Sequence, residues 1–256
     1  MSTGAHAIDL AQIVLYCFWV FFAGLIYYLH RENKREGYPL ESDGRRGTRV
    51  RIQGFPAMPD PKTYRLRNGQ TRTAPAPSAP QAAPKAEPTS RVPGSPLEPT
   101  GNPMLDGVGP GAYANRPDVA DLTIDGEPRI VPLSRAVGFS IDPADPDPRG
   151  MPVVGADCTV GGVVRELWVD RSEVLFRYLE VEVPAAGGTR RVLLPINFAR
   201  IGRRQVAVQS ILGAQFAEVP ALRRDDQITL LEEERVMAYY GAGTLFAEPS
   251  RREPLL

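Results

Sequence analysis

The chain has 256 residues, with 30 Lys and Arg balanced by 30 Asp and Glu, and two cysteines and two histidines. Its mean hydropathy is mildly polar, so only a small part can live in lipid. Two thiols and two imidazoles cannot close a four-ligand zinc site without carboxylates, and scattered Lys and Arg without aromatic platforms exclude a nucleic-acid surface.

The zero charge balance hides an asymmetry. Residues 1–29 hold one charge, Asp9; residues 30–90 hold 12 Lys and Arg against 6 Asp and Glu; residues 91–256 hold 18 against 23. A basic stretch beside an apolar run, followed by an acidic body, suits a membrane surface. Cys17 lies inside the apolar run and Cys158 far from it, so no disulfide is expected and both read as small apolar packers.

From Leu10 to Leu29 the chain reads LAQIVLYCFWVFFAGLIYYL, with Gln12 as its one strongly polar side chain. Twenty helical residues span about 30 Å, the thickness of a bilayer core, and lipid leaves a lone segment no choice but helix. A secretory signal needs a basic n-region, and MSTGAHAID has no Lys or Arg; a buried soluble helix would rarely be apolar all round. Arg31, Lys34, Arg35, Arg45, Arg46, Arg49 and Arg51 all follow the run, which predicts a cytoplasmic C-terminal side and a periplasmic N-terminus. Tyr27 and Tyr28 suit the interface, and Gly24 with Ala23 offers close approach to another helix.

A charged continuation of the helix is expected to end near Gly37-Tyr38-Pro39. Residues 40–73 are polar, with turn signals at Asp43-Gly44 and Asn68-Gly69. From Thr73 to Pro103 recurrent prolines favour extended chain and oppose a helix or sheet interior, reading as a linker or as an arm laid over a partner. From about Asp106 the pattern turns globular. Val153–Thr159, Val163–Asp170, Val174–Val183, Arg191–Pro195 and Gln205–Val208 read as short strands of a small antiparallel sheet or barrel. The second and third should pair as a hairpin with Asp170-Arg171-Ser172-Glu173 at its tip. Thr229 followed by Glu232 is a capping box for a final helix running to about Tyr240, before Gly241-Ala242-Gly243.

No nucleophile–base signature, Walker loop or HExxH motif is present, and His6 and His30 fall outside the globular part, so an enzyme in its own right is not expected. The carboxylates carry more. Asp170 and Glu173 should lie together at the hairpin tip. Arg177 shares parity with Leu175, Leu179, Val181 and Val183, which places it on the apolar face of a regular strand, with a buried carboxylate partner or at an interface; a bulge would instead turn it outward. Neighbouring, partly desolvated carboxylates have raised, coupled pKa values and can pass protons near neutral pH. The plainer alternative is a solvated tip.

Several strings resemble one family. FWVFFAGLIYYLHRENKREGYPLE resembles the anchor of the H subunit of purple-bacterial photosynthetic reaction centres, and NPMLDGVGPGAYANRPD (102–118) its approach to the globular domain. GADCTVGGVVRELWVDRSEVLFRYLEVEV (155–183), RRVLLPINFARI (190–201) and ITLLEEERVMAYYGAG (228–243) are similar to its PRC-barrel and terminal helix. The resemblance implies a single transmembrane α-helix plus a cytoplasmic, mainly-β, PRC-barrel-like domain with a C-terminal helix. The segments expected are 1–9 periplasmic, 10–30 transmembrane, 31–105 connecting, 106–249 barrel and 250–256 tail.

It also implies a non-pigment-binding subunit that caps the cytoplasmic face of subunits L and M and supports proton transfer to the secondary quinone. Bacteriochlorophyll, bacteriopheophytin, quinones and a non-haem iron would then lie in L and M and none in this chain. Membrane lipids and light-harvesting antenna polypeptides are further expected partners, in the bacterial inner (intracytoplasmic) membrane. Asp170, Glu173 and Arg177 match positions near the quinone-side proton path, and Asp125 a surface aspartate near its entrance. Some members carry histidines just after that aspartate, where Gly126-Glu127-Pro128 stand here, so Asp121, Asp125 and Glu127 are expected to form an acidic entrance instead. The competing reading is a membrane-tethered PRC-barrel adaptor in an unrelated assembly.

Overall fold

The computed structural model describes residues 9–40, 52–76, 84–92 and 94–252. These fall into two compact units, one containing the N-terminal helix and the segment 52–76, the other residues 84–91 and 95–252. The expected turn at Asp43-Gly44, the basic residues Arg45, Arg46, Arg49 and Arg51, and the last residues of the tail lie outside the described residues.

Helix α1 (Leu10–Asn33) starts where the Asp9 side chain accepts a 2.9 Å bond from the Ala11 N–H, satisfying one of the orphan donors of a first turn. None of its residues is buried in the fold, and Trp19 and Phe21 are more than half exposed. An apolar surface of that extent is unfavourable in water and at home in lipid; among the described residues, α1 is the one helix long and apolar enough to cross a membrane. The helix stops at Asn33, before the Gly37-Tyr38-Pro39 stop expected from the sequence. Lys34, at its C-cap and only 4 % exposed, turns its ammonium onto the carbonyls of Gln53 (2.8 Å) and Pro56 (2.5 Å), under the Tyr38 ring. Arg35 forks onto Glu32 and also donates to the Asp60 and Ala74 carbonyls. Two of the cations read as a topology signal therefore also pin the chain that follows the helix. That chain forms a ribbon, β1 (Lys62–Arg65) with β2 (Thr71–Ala74), turning through Asn68-Gly69 with Gly69 at φ +81°, as the turn signal predicts.

In the second unit, β3 (Ala86–Pro88) pairs with β4 (Leu97–Pro99) inside the proline-rich stretch expected to be extended chain. Both strands of such a ribbon are edges, so Pro88 and Pro99 at their ends forfeit no ladder bond. The main sheet joins β5 (Ile130–Pro132), β6 (Pro152–Val154), β7 (Val160–Asp170), β8 (Leu175–Ala185), β9 (Gly188–Pro195), β10 (Ala199–Ile201) and β11 (Val206–Val208). Its order is β10-β11-β6-β7-β8-β9, and β5 lies end to end with β6 along the same edge of β7. All pairings are antiparallel except β11 with β6. Val164, Trp168, Leu179, Val181, Leu194 and Val208 are fully buried in one hydrophobic core, to which helix α2 (Leu230–Phe246) adds Val236, Tyr239 and Tyr240. Met104 also belongs to this core, upstream of the expected globular start at Asp106.

The capping box is as the sequence predicts: Thr229 Oγ1 accepts from the Glu232 N–H, and the Glu232 carboxylate accepts from the Thr229 N–H. The stop is not. Helix α2 runs through Gly241-Ala242-Gly243 to Phe246. A Cβ on Gly241 would strike the Pro110 carbonyl oxygen, and one on Gly243 the Ser210 carbonyl oxygen. These glycines let backbone approach the helix; they do not end it. Cys158 corrects a second expectation, since it sits exposed in a turn at φ 60° and packs into no core.

Candidate functional site

The site is built where the β7–β8 hairpin meets the segment 120–129. Strand β7 ends at Asp170, which pairs with Ile130 on one side and Leu175 on the other. The Asp170 carboxylate is completely buried, and its Oδ1 accepts the backbone N–H groups of Ser172 (2.9 Å) and Glu173 (3.0 Å). That bonding closes the Asp170–Glu173 tip and explains an aspartate there, because its short side chain bonds its own backbone two and three residues on. The partner in β8 is irregular. Register passes from Trp168↔Tyr178 to Val169↔Phe176, so Arg177 is the extra residue of a β-bulge.

Arg129, which sequence reasoning missed, is the hub. Its guanidinium reaches Asp170 from Nε at 3.0 Å, Asp121 from Nη1 at 3.2 Å, and Glu173 from Nη2. Arg177 makes a second bridge, from Nε to Asp170 (3.2 Å) and from Nη2 to Glu173 (2.6 Å). Three carboxylates therefore share two guanidiniums in one continuous network. Beside it, Arg171 donates to the Pro128 carbonyl and to Glu127 Oε2 (2.6 Å), which fastens the tip to the segment carrying the expected entrance.

Of the six residues the sequence singled out, Asp121, Asp170, Glu173 and Arg177 thus meet in one network, and Glu127 is joined beside it through Arg171. Asp125 is not brought in. It stands exposed in the 123–126 turn and takes part in no ion pair among the described residues.

The electrostatics correct another expectation. Burial works to raise the Asp170 carboxyl, but the hydrogen bonds from Arg129, the Glu173 and Ser172 amides and Arg177 outweigh it and hold the group below the ordinary aspartate value. Arg129 is in turn held more firmly protonated, chiefly by Asp170. Asp170 is therefore a fixed anion near neutral pH and not a group poised to titrate there. The raised carboxyl lies behind the network: Glu233 of α2 is pushed up by burial, against the pull of its hydrogen bond from Tyr178. A second buried acid, Glu180, is satisfied by Trp168 Nε1 (3.1 Å) and Arg191 (2.7 Å) and belongs to the core.

The chain beside the network also exposes large aliphatic side chains. Ile124 is fully exposed, and Val119, Leu122 and Val174 are each more than half exposed. Charges tied to one another, with bare aliphatic side chains near them along the chain, suit contact with another surface as well as with water.

An apolar, unburied N-terminal helix followed by a small mainly-β domain with a C-terminal helix defines a membrane-anchored barrel protein, and residues 144–215 match the PRC-barrel domain. Residues 3–135, just over half the chain, match the N-terminal region of the photosynthetic reaction centre H-chain. The chain belongs to the photosynthetic reaction centre H-chain family. The hub spans the two matched regions, since Arg129 lies in the first and Asp170, Glu173 and Arg177 in the second.

Proposed function

We propose that this H subunit caps the cytoplasmic face of subunits L and M, stabilises that assembly, and conducts protons toward its secondary quinone. The observation that carries the reading is the Arg129 network itself: Asp121, Asp170, Glu173 and Arg177 joined at hydrogen-bond distance, in segments that also expose the side chains of Val119, Leu122, Ile124 and Val174. The apolar rim supplies the dry contact, and the network supplies a chain of ionisable groups that reaches it.

A quinone reduced twice takes up two protons in a site shielded from water. Within this chain, Asp170 serves as the fixed charge that orients Arg129 and Arg177. Glu173 bridges both guanidiniums but is half-exposed, so water at the rim can replace the ion pairs it gives up in passing a proton. Asp121, Asp125 and Glu127 form the acidic entrance, with Asp125 standing in water to collect protons. The chain performs no bond-making of its own: pigments, quinones and a non-haem iron are held by L and M. Its helix anchors it in the bacterial inner (intracytoplasmic) membrane with the N-terminus periplasmic and the barrel cytoplasmic, against lipid and antenna polypeptides. The adaptor alternative finds no support in residues 3–135, whose match is to the reaction-centre H-chain and not to a generic tether.

The test is to place Glu173→Gln, Asp121→Asn and Asp125→Asn singly in the intact complex and time the proton-coupled second reduction of the quinone after paired flashes. Slowing in Glu173→Gln above all is expected, by about tenfold or more for loss of a positioned proton carrier. Wild-type rates in all three variants across the pH range would end the relay assignment.

A further inference from the structure

Directly behind the network, held by the residue that follows Arg177 in β8, lies an acid that the sequence presented only as part of a helix start. Glu233 stands in the first turn of α2, half-buried, and its Oε2 accepts a 3.0 Å hydrogen bond from the Tyr178 hydroxyl. Tyr178 is 3 % exposed and follows the bulged Arg177, so a single step of backbone joins the surface network to this interior pair. The surrounding carboxylates are claimed by arginines: Asp170 and Glu173 by Arg129 and Arg177, Glu232 by Arg223, and Glu234 by Arg116. Among the described residues Glu233 has no ion-pair partner; its one side-chain hydrogen bond is to a neutral phenol.

The difference has a chemical consequence. A carboxylate clamped by guanidiniums loses several charge-assisted bonds on protonation, whereas one held by a phenol in a partly dry site loses little. The charged groups that act on Glu233 come from each packed element. Arg177 from β8 and Arg129 from the preceding segment favour its ionised form, Asp121 opposes it, and Glu234 on its own helix is paired outward with Arg116. Burial raises its carboxyl above the ordinary glutamate value, and burial together with the Glu233 charge holds the Tyr178 phenol protonated far above neutrality.

We propose that Glu233 is the proton-exchanging group of this interior, taking up a proton when negative charge develops at the network and releasing it when that charge is removed, with Tyr178 as its positioning residue. The exchange is Glu233 carboxylate plus a solvent-derived proton giving the neutral acid; the phenol keeps its own proton and reorients its hydrogen bond. The proposal rests on the relay reading above and adds a reservoir to it.

The experiment uses the intact complex carrying Glu233→Gln, Tyr178→Phe or Glu173→Gln. Proton uptake on quinone reduction is followed with a pH-indicating dye, alongside the infrared carbonyl stretch of protonated carboxylic acids. Glu233→Gln is expected to abolish one such carbonyl band and reduce uptake. Tyr178→Phe should retain the band at shifted frequency and move its pH midpoint upward, because the lost donor had favoured the carboxylate. An unchanged band and uptake in Glu233→Gln overturns the proposal. Should Glu233→Gln fail to assemble, an unmoved midpoint in Tyr178→Phe overturns it equally. Slowed second reduction in Glu173→Gln beside a silent Glu233→Gln rejects the reservoir alone, while silence in both rejects the relay with it.

Discussion

Arg177 has no partner across β7; the register skips it, and its guanidinium swings back onto the buried carboxylate of Asp170 at 3.2 Å while holding Glu173 at 2.6 Å. A regular strand would have sent this side chain to the apolar face. The bulge turns a packing liability into one side of an ion-pair network, with Arg129 as the other side.

That arrangement makes Arg129 the more costly residue to lose. Asp170 has no exposure to water and would be left with Arg177 and two backbone amides as its donors. Arg129→Gln is expected to destabilise the barrel by about 3–5 kcal/mol, the usual cost of leaving a buried charge half-compensated. Urea denaturation of the detergent-solubilised complex, followed by tryptophan fluorescence of buried Trp168, reads it. Adding Asp170→Asn should recover much of the loss, and a strictly additive double variant would show that the two side chains are not coupled.

Two carboxyls give opposite pH signatures. The folded state holds Asp170 below its ordinary value of 3.8, so its contribution is fully present above that value and is lost as pH falls through the lower folded value. Glu233 is held above its ordinary value of 4.5, so its contribution is fully present below that value and is lost as pH rises through the higher folded one. Asp170→Asn should therefore flatten the acid limb of the stability curve. Glu233→Gln should flatten the decline toward neutral pH. Denaturation midpoints taken every half pH unit separate the two, and identical changes in both variants would contradict the assignment.

Much of this fold could be read from residues that act locally. Leu10–Leu29 declares its helix by length and composition, Thr229 and Glu232 sit three apart as a capping box, and Asp170 to Glu173 carries its own turn bonds. Parity along β8 raised the question of Arg177 and left a bulge as one of two answers. What stayed hidden acts across long separations without a periodic signal. Arg129 reaches Asp170 across 41 positions from an irregular segment rich in turns, and Glu233 meets Tyr178 across 55. Gly241 and Gly243 misled for the same reason: their meaning lies in the Pro110 and Ser210 carbonyls, which no local rule brings to the helix. A lone arginine beside an acid-rich turn is the one signal that could have pointed to the hub.

The helix glycines offer a contest between two known effects. Alanine in place of glycine inside a helix gains about 1 kcal/mol of intrinsic propensity. At Gly243 the added methyl would strike the Ser210 carbonyl oxygen and the Ile211 side chain, and forcing atoms into a packed site costs about 1–3 kcal/mol. Because one obstacle is backbone, the collision should win. Gly243→Ala is expected to lower the thermal midpoint of the complex, whereas an unchanged or higher midpoint would show that the Ser210 turn yields.

Orientation can be read with a side chain already in place. Cys158 is exposed in a turn of the barrel, and Cys17 lies within the apolar helix, where a polar reagent has no access from water. If the barrel faces the cytoplasm, a membrane-impermeant maleimide should spare this chain in right-side-out spheroplasts. It should label Cys158 in inside-out membrane vesicles, with peptide mass analysis locating the adduct. The Cys158→Ser variant should lose the signal in both preparations. Labelling of Cys158 in intact spheroplasts would place the barrel on the opposite side. The Arg129 network would then face the periplasm, away from where a cytoplasmic proton supply could use it. The same result would mean that Lys34 and Arg35, pinned to the Gln53, Pro56, Asp60 and Ala74 carbonyls, serve the fold of the connecting segment more than the topology of the helix.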